Sequence, residues 1–183
     1  MSVARPDNRQ GDTPSVVVRE ATPDDARVTL RLMEQLLRET PFMLRMPEEQ
    51  LDTVSDERRF LRGLRASGNS SAFLAFEHGE PAGLLVVTGG VLKRQRHVGH
   101  MGMGVLADHW SRGIGSALLN AAIDWLMHHP RLRKLSLQVY ANNPRAVALY
   151  EQKGFRLEGR LVDEVRLDEG YVDMLQMAYL RHP

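Results

Sequence analysis

The feature that most constrains the fold is a strand, a helix and a second strand that follow one another in the second half of the chain. Residues 97–106 have a strand pattern, and the stretch DHWSRGIGSALL at 108–119 opens a helix that continues to about Met127. Residues 135–139 then alternate apolar and polar side chains, as half-buried strands do. A helical connection between two strands of one sheet requires them to run parallel. The sheet of this protein should therefore contain a parallel pair.

The other segments predict strands that run antiparallel around that pair. The turn sequence HGEP separates two strand patterns and is a hairpin signal. A short helix from Pro144 to Lys153 precedes two closing strands, which gives the order β-α-α-β-β-β-α-β-α-β-β. We predict an α/β (α+β) fold with a mixed, largely antiparallel central sheet and helices on both faces. The predicted strands are 16–18, 72–76, 83–88, 97–106, 135–139, 155–161 and 171–180.

The composition excludes several classes of protein. The net charge of +1 offers no field that would attract nucleic acid or a membrane surface. The absence of cysteine excludes a disulfide framework, a thiolate metal site and a cysteine nucleophile. No run of about 18 apolar residues is present, and residues 1–14 are polar and rich in turn-forming residues. We expect a cytoplasmic protein with a disordered tail at 1–14, a single domain over 15–183, and no nucleic-acid or membrane partner.

The helix that begins in DHWSRGIGSALL starts with two glycines, which are poor helix formers. A helix N-terminus presents unpaired N–H groups and a partial positive charge, and glycine lets an anion approach them closely. Residues 111–116 fit a phosphate site of this kind, to which Arg112 would add charge and Ser116 a hydroxyl group. A tight turn without a ligand explains the glycines equally well. Nucleotide motifs do not fit, because GMGVLA at 102–107 lies inside a strand pattern and the P-loop sequence is absent.

Gly99, Gly102 and Gly104 interrupt the strand before this turn. Glycine within a strand often marks a bulge or the close approach of another backbone. We predict a bulge that splays this strand from its parallel neighbour and leaves N–H and C=O groups for a ligand that carries amides. Simple irregularity of the strand is the alternative.

The helix after the second strand of the parallel pair carries two further candidates. Asn143 precedes Pro144 and can cap the helix N-terminus. Tyr150 lies nearly two turns later on the same face, about 10 Å away. Its phenol either packs in the core or points into the gap between the splayed strands.

Together, HMGMGVLADHWSRGIGSALL and LSLQVYANNPRAVALYEQKGFRLEG resemble the GNAT superfamily of acyl-CoA-dependent N-acyltransferases. The resemblance implies direct transfer of an acetyl group from acetyl-CoA to a primary amine, without a metal. It implies that the glycine turn binds pyrophosphate, that residues 103–105 and Asn143 bind the pantetheine arm, and that Tyr150 protonates the departing thiolate. The cofactor-binding residues it implies are Met103, Gly104, Val105, Ser111, Arg112, Gly113, Ile114, Gly115, Ser116 and Asn143.

The chain departs from the pattern of that family at two positions. Trp110 stands where an arginine or glutamine is usual, three residues before the first glycine. The resemblance makes this a small loss, because backbone groups carry most of the phosphate binding. Gln138 stands where some relatives have a glutamate base. A neutral amide cannot accept a proton, so Gln138 is not the base.

The general base therefore has to be sought elsewhere. His100 lies on the strand implied to contact the thioester, and its ordinary pKa of about 6.5 suits proton abstraction. We take His100 as the catalytic candidate beside Tyr150. His97, Glu77, Asp173 and a water-mediated route stay open, as does a structural role for either histidine. The HxxH spacing is not accompanied by the further ligands that a metal site needs.

The acceptor and the assembly are less constrained by the sequence. The resemblance points to small amines, amino acids or protein N-termini as acceptors. We expect the acceptor site to be shaped by the loop at 42–46, the segment 93–96 and the turn at 169–171. The apolar side chains within 174–177 would suit a homodimer interface, and core burial explains them equally well. The alternative function is a non-catalytic acyl-CoA sensor on the same fold.

Overall fold

The computed structural model describes residues 16–181, which form one mixed sheet and four α-helices. The tail predicted at 1–14 lies outside the described residues. The strands are β1 Val16–Glu20, β2 Ser71–Glu77, β3 Glu80–Gly89, β4 Val98–Val105, β5 Lys134–Tyr140, β6 Arg156–Leu167 and β7 Gly170–Leu180. The helices are α1 Ala26–Glu39, α2 Val54–Ser67, α3 Ile114–His128 and α4 Pro144–Gln152. Across the sheet the strands lie in the order β1-β2-β3-β4-β5-β7-β6.

The topology agrees with the sequence prediction. β4 and β5 run parallel, and the other neighbouring strands of the described sheet run antiparallel. The predicted order of elements is confirmed. β6 is longer than predicted, because it continues beyond residue 161 to Leu167. Its pairing with β7 is irregular between Leu161 and Val165, and such an insertion breaks the alternation by which a strand is identified in a sequence.

Short polar signals fix where the first two helices begin. Thr53 Oγ1 accepts a hydrogen bond from Asp56 N at 3.2 Å, and the Asp56 carboxylate accepts one from Thr53 N at 3.0 Å, which caps α2. Before α1, the Asp25 carboxylate accepts hydrogen bonds from Thr22 N at 2.7 Å and from two nitrogens of Arg19 at 2.8 and 2.7 Å. These bonds tie the start of α1 to the end of β1.

The sheet separates two apolar cores, one on each face. One core lies under α3 and α4, and the other lies under α1 and α2. Side chains of consecutive strand residues point to opposite faces, so β4 directs Met101 to the first core and Gly104 toward α1. Buried members of the first core include Leu85, Leu118, Leu126, Leu135 and Met177, and those of the second include Leu36, Leu61, Leu74 and Leu84.

β4 and β5 part soon after they begin to pair. Their parallel register covers Val98–His100 against Lys134–Ser136, whereas β5 pairs with β7 along its whole length. The bulge predicted in β4 is wrong, because β4 pairs with β3 from Gly99 to Val105 without a shift of register. Each strand stays with its antiparallel neighbour, and sheet twist separates the two. The splay is thus present, and it arises from two intact ladders that diverge.

Two of the three glycines of β4 make room for neighbouring groups. A Cβ added at Gly99 would lie 2.6 Å from Val87 Cγ1, and one added at Gly104 would lie 2.7 Å from Leu36 Cδ1. A Cβ at Gly102 would meet nothing within 4 Å. Hence α1 packs directly on β4 at Gly104, while Gly102 borders open space beside the parting strands.

Candidate active site

A cavity of about 1270 Å³ occupies the gap between β4 and β5. Its lining comes from both faces of the sheet, so it passes between the two strands. We call one part the α3 side, which is lined by residues within 109–116 and 143–152. The other part is the α1 side, which is lined by residues within 33–44, by His100 and by the face of β5 that carries Ser136, Gln138 and Tyr140. A molecule that fills the cavity would contact both sides.

The glycine turn forms one wall of the α3 side, and its two glycines do different work. Gly113 has a left-handed backbone, with φ of +83°, directly before α3. Gly115 allows close packing, because a Cβ there would lie 3.0 Å from Leu149 Cδ2 of α4. Ser111 also has a positive φ, of +62°. The first N–H groups of a helix have no partner inside it, and Ile114, Gly115 and Ser116 border the cavity.

Trp110, by which the sequence departs from the pattern of the family it resembles, ties the turn to β4. Its indole Nε1 donates a hydrogen bond to the Val105 carbonyl at 2.6 Å. The Arg145 guanidinium lies over its ring, 4.5 Å from the ring centroid, and both residues line the cavity. Sequence reasoning missed Arg145. The available signal was a cation in the first turn of α4, where the helix dipole disfavours positive charge.

Arg112 is the member of the turn that does not line the cavity. Its Nη1 donates to Glu77 Oε2 at 3.1 Å, and His109 Nδ1 lies 2.7 Å from the same oxygen. A carboxylate can only accept, so this His109 nitrogen carries the proton. The hydrogen bond from His109, together with the charge of Arg112, holds the pKa of the Glu77 carboxyl below its usual range. The buried Glu77 side chain thus bonds to Arg112 in the glycine turn and to His109 before it, and holds this segment in place.

Tyr150 combines a packed ring with a hydroxyl group that faces the cavity. The residue is 6% exposed, and its ring centroid lies 5.7 Å from that of Phe155. Among the described residues the hydroxyl has no hydrogen-bond partner, and no fully buried side-chain nitrogen or oxygen lacks one. The hydroxyl must therefore reach the cavity, which Tyr150 lines. Burial raises the pKa of Tyr150 to about 12. The packed ring and the phenol in the gap, set out as alternatives from the sequence, are both realised.

Asn143 caps α4 as the sequence predicts. Its Oδ1 accepts a hydrogen bond from Ala146 N at 3.1 Å, and the residue lines the cavity beside Pro144. Because capping uses the side-chain oxygen, the amide nitrogen of Asn143 is the group available to donate to a ligand.

Polar side chains line the α1 side where β4 and β5 part. His100 is exposed and pairs in register with Ser136, at the last rung of the parallel ladder. Gln176 Nε2 donates to Ser136 Oγ at 2.6 Å, and Gln138 borders the same space. Sequence reasoning missed Ser136 and Gln176. Polar residues at alternate positions of an otherwise buried β5 were the signal.

The loop after α1 closes this side of the cavity and is anchored on β5. Tyr140 Oη donates to the Met43 carbonyl at 3.3 Å, and the Phe42 ring meets the Tyr140 ring edge-on with centroids 5.9 Å apart. Phe42, Met43 and Leu44 line the cavity, as expected for the loop at 42–46. The segments 93–96 and 169–171, which were also expected to shape the site, do not line it.

Of the four candidate bases, His100 is the one that borders the cavity. His97 lies before β4, where its carbonyl accepts from Arg133 N at 2.9 Å. Glu77 is held behind the glycine turn. The Asp173 carboxylate accepts from Asp163 N at 2.8 Å and from Arg160, on the hairpin of β6 and β7. The geometry brings His100 to the site and leaves the other three outside it.

Two general features of residues 16–181 bear on the kind of site. This part of the chain has no group of three or more histidine, aspartate or glutamate side chains placed to hold a metal ion. None of its helices is long and apolar enough to cross a membrane.

Comparison with known proteins identifies relatives of the whole fold. The acetyltransferase (GNAT) family matches residues 30–155. The crystal structure of an acetyltransferase of the GNAT family from Streptococcus pneumoniae is 33% identical, with a TM-score of 0.86 over 90% of this chain and 99% of that one. A putative acetyltransferase from Salmonella typhimurium, solved with its cofactor acetyl-CoA, has 14% identity and a TM-score of 0.81 over 92% and 95% of the two chains. At that identity the likeness concerns the fold alone.

A curated relative gives a closer match over a shorter stretch. Spermidine N(1)-acetyltransferase from Vibrio cholerae is 36% identical over 77 residues, which is 42% of this chain and 44% of that protein. Such matches span between 44% and 64% of the curated relatives' own lengths. The family match covers well over half of the chain, and the Streptococcus structure agrees with nearly all of it. The resemblance carried by the glycine turn and the α4 segment is thereby confirmed, and the chain belongs to the acetyltransferase (GNAT) family.

Proposed function

We propose that this protein is an N-acetyltransferase that moves an acetyl group from acetyl-CoA to a primary amine by direct attack. The observation that carries the proposal is the single cavity between β4 and β5, which joins the glycine turn to Tyr150 and His100. A two-substrate transfer needs both reactants held at one point, and such positioning supplies much of the acceleration. The domain that carries this activity spans residues 15–183.

The α3 side takes the coenzyme. Backbone N–H groups of residues 111–116 bind the pyrophosphate, and Arg145 stands beside them to add positive charge. Arg112 stabilises the turn through its hydrogen bond to Glu77, and its positive charge lies near the turn although the residue does not line the cavity. From Met101 to Val105, β4 has a partner in β3 but not in β5. That free edge can pair with the amides of the pantetheine arm, and Asn143 can donate to it from the other wall.

The chemistry follows from the groups at the gap. The amine must lose a proton to attack the thioester, and His100 accepts it directly or through a water molecule. A β4 backbone N–H among residues 103–105 stabilises the oxyanion of the tetrahedral intermediate. As that intermediate collapses, the C–S bond breaks and the Tyr150 hydroxyl gives its proton to the leaving sulfur. With a pKa near 12, Tyr150 keeps that proton at any working pH until the thiolate forms.

The test is release of free coenzyme A thiol from acetyl-CoA, measured with a panel of amines and peptides. Acetylation of at least one amine, with Tyr150 required for turnover, supports the proposal. The second candidate, an acyl-CoA sensor, gives heat of binding for acetyl-CoA in calorimetry but no thiol release with any amine. Gln138 favours this candidate, because it stands where some members of the resembled family have a glutamate base. The hydroxyl group of Tyr150 in the cavity favours the enzyme.

We extend the proposal to the protein's setting, which is the cytoplasm, and to a homodimer. The absence of cysteine suits a reducing compartment. Met174 and Met177 are 2% and 1% exposed, so these residues belong to the core rather than to an interface. The dimer proposal rests instead on the exposed apolar side chains Leu157, Val162 and Tyr171 of β6 and β7. Light scattering of the purified protein measures the assembly directly.

A further inference from the structure

From the α1 side of the cavity we infer the chemical class of the acceptor: a primary amine beside an apolar side chain, with no second charge. An amino-acid amide and a peptide N-terminus that begins with an apolar residue share this chemistry. The inference rests on the proposed acetyl transfer and narrows its substrate. It starts from which groups the cavity offers and which it lacks.

The α1 side is walled mainly by hydrocarbon and thioether groups. α1, the loop after it, β3 and β7 all contribute to this wall. Methionine side chains adapt to varied apolar shapes, so the wall suits an aliphatic or aromatic substituent rather than one fixed outline. Its apolar members are Met33, Leu36, Phe42, Met43, Leu44, Leu84, Val86 and Met174.

No aspartate or glutamate of residues 16–181 lines the cavity. Three carboxylates near the α1 end are engaged elsewhere. Glu39 accepts from Ala107 N at 3.0 Å, Glu49 from Met46 N at 2.8 Å, and Asp52 from Arg45 at 2.8 Å. A polyamine or aminoglycoside would leave its further ammonium groups without a carboxylate, and an unpaired buried charge is costly. The α1 side therefore disfavours polycations.

The same side disfavours a free carboxylate on the acceptor. Among residues 16–181, the arginine that borders the cavity is Arg145, and it lies over Trp110 on the α3 side. Apart from His100, which the proposed reaction uses on the amine, the α1 side offers uncharged polar groups: Gln176 and Ser136 bond each other at 2.6 Å, and Gln138 lines the cavity beside them. Amide and hydroxyl groups of this kind pair with an uncharged amide, as in a blocked amino acid or a peptide backbone.

The test compares four acceptors in the thiol-release assay: leucinamide, leucine, spermidine and the peptide amide Leu-Ala-Ala. We expect kcat/KM for leucinamide to exceed that for spermidine and for leucine by about tenfold or more, because a charged group left unpaired against this wall is costly. A higher value for the peptide than for leucinamide identifies an N-terminus as the source of the amine, and a lower one identifies a small amine. Preference for spermidine or for leucine over leucinamide overturns the inference.

A variant pair links this selectivity to the α1 side. Met33→Glu places a carboxylate in the wall and should move the preference toward spermidine by about tenfold. Leu51→Glu is the control, because Leu51 is 83% exposed in the same loop region and does not line the cavity. It should keep the wild-type preference. An unchanged preference in Met33→Glu, in protein that still binds coenzyme A, counts against the inference.

Binding measurements separate this inference from the proposed function. If no amine is acetylated, the acetyl-transfer proposal fails. Calorimetry on the protein saturated with coenzyme A still decides the acceptor class, through the affinities for leucinamide and spermidine. Tighter binding of leucinamide upholds the class, and tighter binding of spermidine, or binding of neither, overturns it.

Discussion

At the scale of single residues, Tyr150 is the side chain whose removal is most informative. Its ring is fixed by packing on Phe155, while its hydroxyl reaches the cavity. Phenylalanine keeps the ring and removes the hydroxyl group that is proposed to donate the proton. We expect Tyr150→Phe to lower kcat by about a hundredfold, the usual worth of a positioned acid, with little change in the Kd for coenzyme A. Steady-state kinetics and calorimetry measure the two effects, and wild-type turnover in the variant would exclude the acid role.

Tyr140 offers a second test at this scale, on the acceptor side. Its hydroxyl holds the Met43 carbonyl, so Tyr140→Phe frees the loop at 42–46 while the contact with Phe42 is kept. We expect KM for the amine to rise by about two- to tenfold, the effect of losing one hydrogen bond of about 1 kcal/mol. The KM for acetyl-CoA should not change, because the glycine turn is not touched. A rise in both KM values would contradict a role confined to the loop.

Residue-level prediction from the sequence succeeds where a role depends on local spacing. Asn143 and Tyr150 share a helix, and the capping geometry of Asn143 follows from its position before Pro144. The hydrogen bonds of Glu77 with Arg112 and of Gln176 with Ser136 join residues 35 and 40 positions apart. No local sequence pattern predicts such pairs, because they are brought together by the order of strands in the sheet, which depends on the whole chain.

At the scale of elements, the start of α3 tests how backbone conformation serves binding. Gly113 has φ of +83° and open space around a would-be Cβ, so alanine there suffers strain without a clash. We expect Gly113→Ala to destabilise the fold by about 1 kcal/mol and to weaken coenzyme A binding, since the turn would shift. Urea unfolding and calorimetry measure these effects.

Gly113→Asn is the matched variant for that experiment. Asparagine tolerates the left-handed region better than alanine does. The losses of folding stability and of coenzyme A affinity should therefore be smaller in Gly113→Asn than in Gly113→Ala. Equal losses in both variants would mean that the side-chain volume, rather than the backbone angle, is what the turn cannot accept.

Element-level prediction gave the right order of strands and the wrong cause of the splay. Three glycines in β4 suggested a bulge, yet two of them accommodate neighbours, Gly99 beside Val87 on one face and Gly104 beside Leu36 on the other. A sequence does not distinguish a glycine that breaks a ladder from one that accepts a neighbour. The distinction depends on α1, which packs on β4 from far away in the chain.

At the scale of the whole molecule, acid stability follows from the ion pairs. Hydrogen bonds and charges hold the pKa values of three carboxyl groups below their usual range: Arg19 acts on Asp25, His109 acts on Glu77, and the Asp163 N–H together with Arg160 acts on Asp173. A carboxyl whose folded pKa is lowered stabilises the fold fully above its unfolded pKa, about 4. That stability is lost as the pH falls through the folded pKa.

We therefore expect the Tm to fall as the pH is lowered below about 5, where such carboxylates begin to protonate. Asp25→Asn should lower the Tm at neutral pH and make the acid dependence shallower, because the bond to Arg19 is weakened at every pH. Asp168→Asn, in the exposed turn between β6 and β7, is the control and should leave the profile unchanged. Thermal unfolding followed by circular dichroism measures these curves, and parallel curves for wild type and Asp25→Asn would refute the assignment.

The cavity between β4 and β5 is lined from both faces of the sheet, by the glycine turn on the α3 side and by the loop at 42–46 on the α1 side. In the proposed reaction the coenzyme occupies one side and the amine the other. The two substrates would then meet from opposite faces of one sheet, so that neither has to pass the other on the way in. Such an arrangement favours a ternary complex, in which either substrate can exchange while the other stays bound.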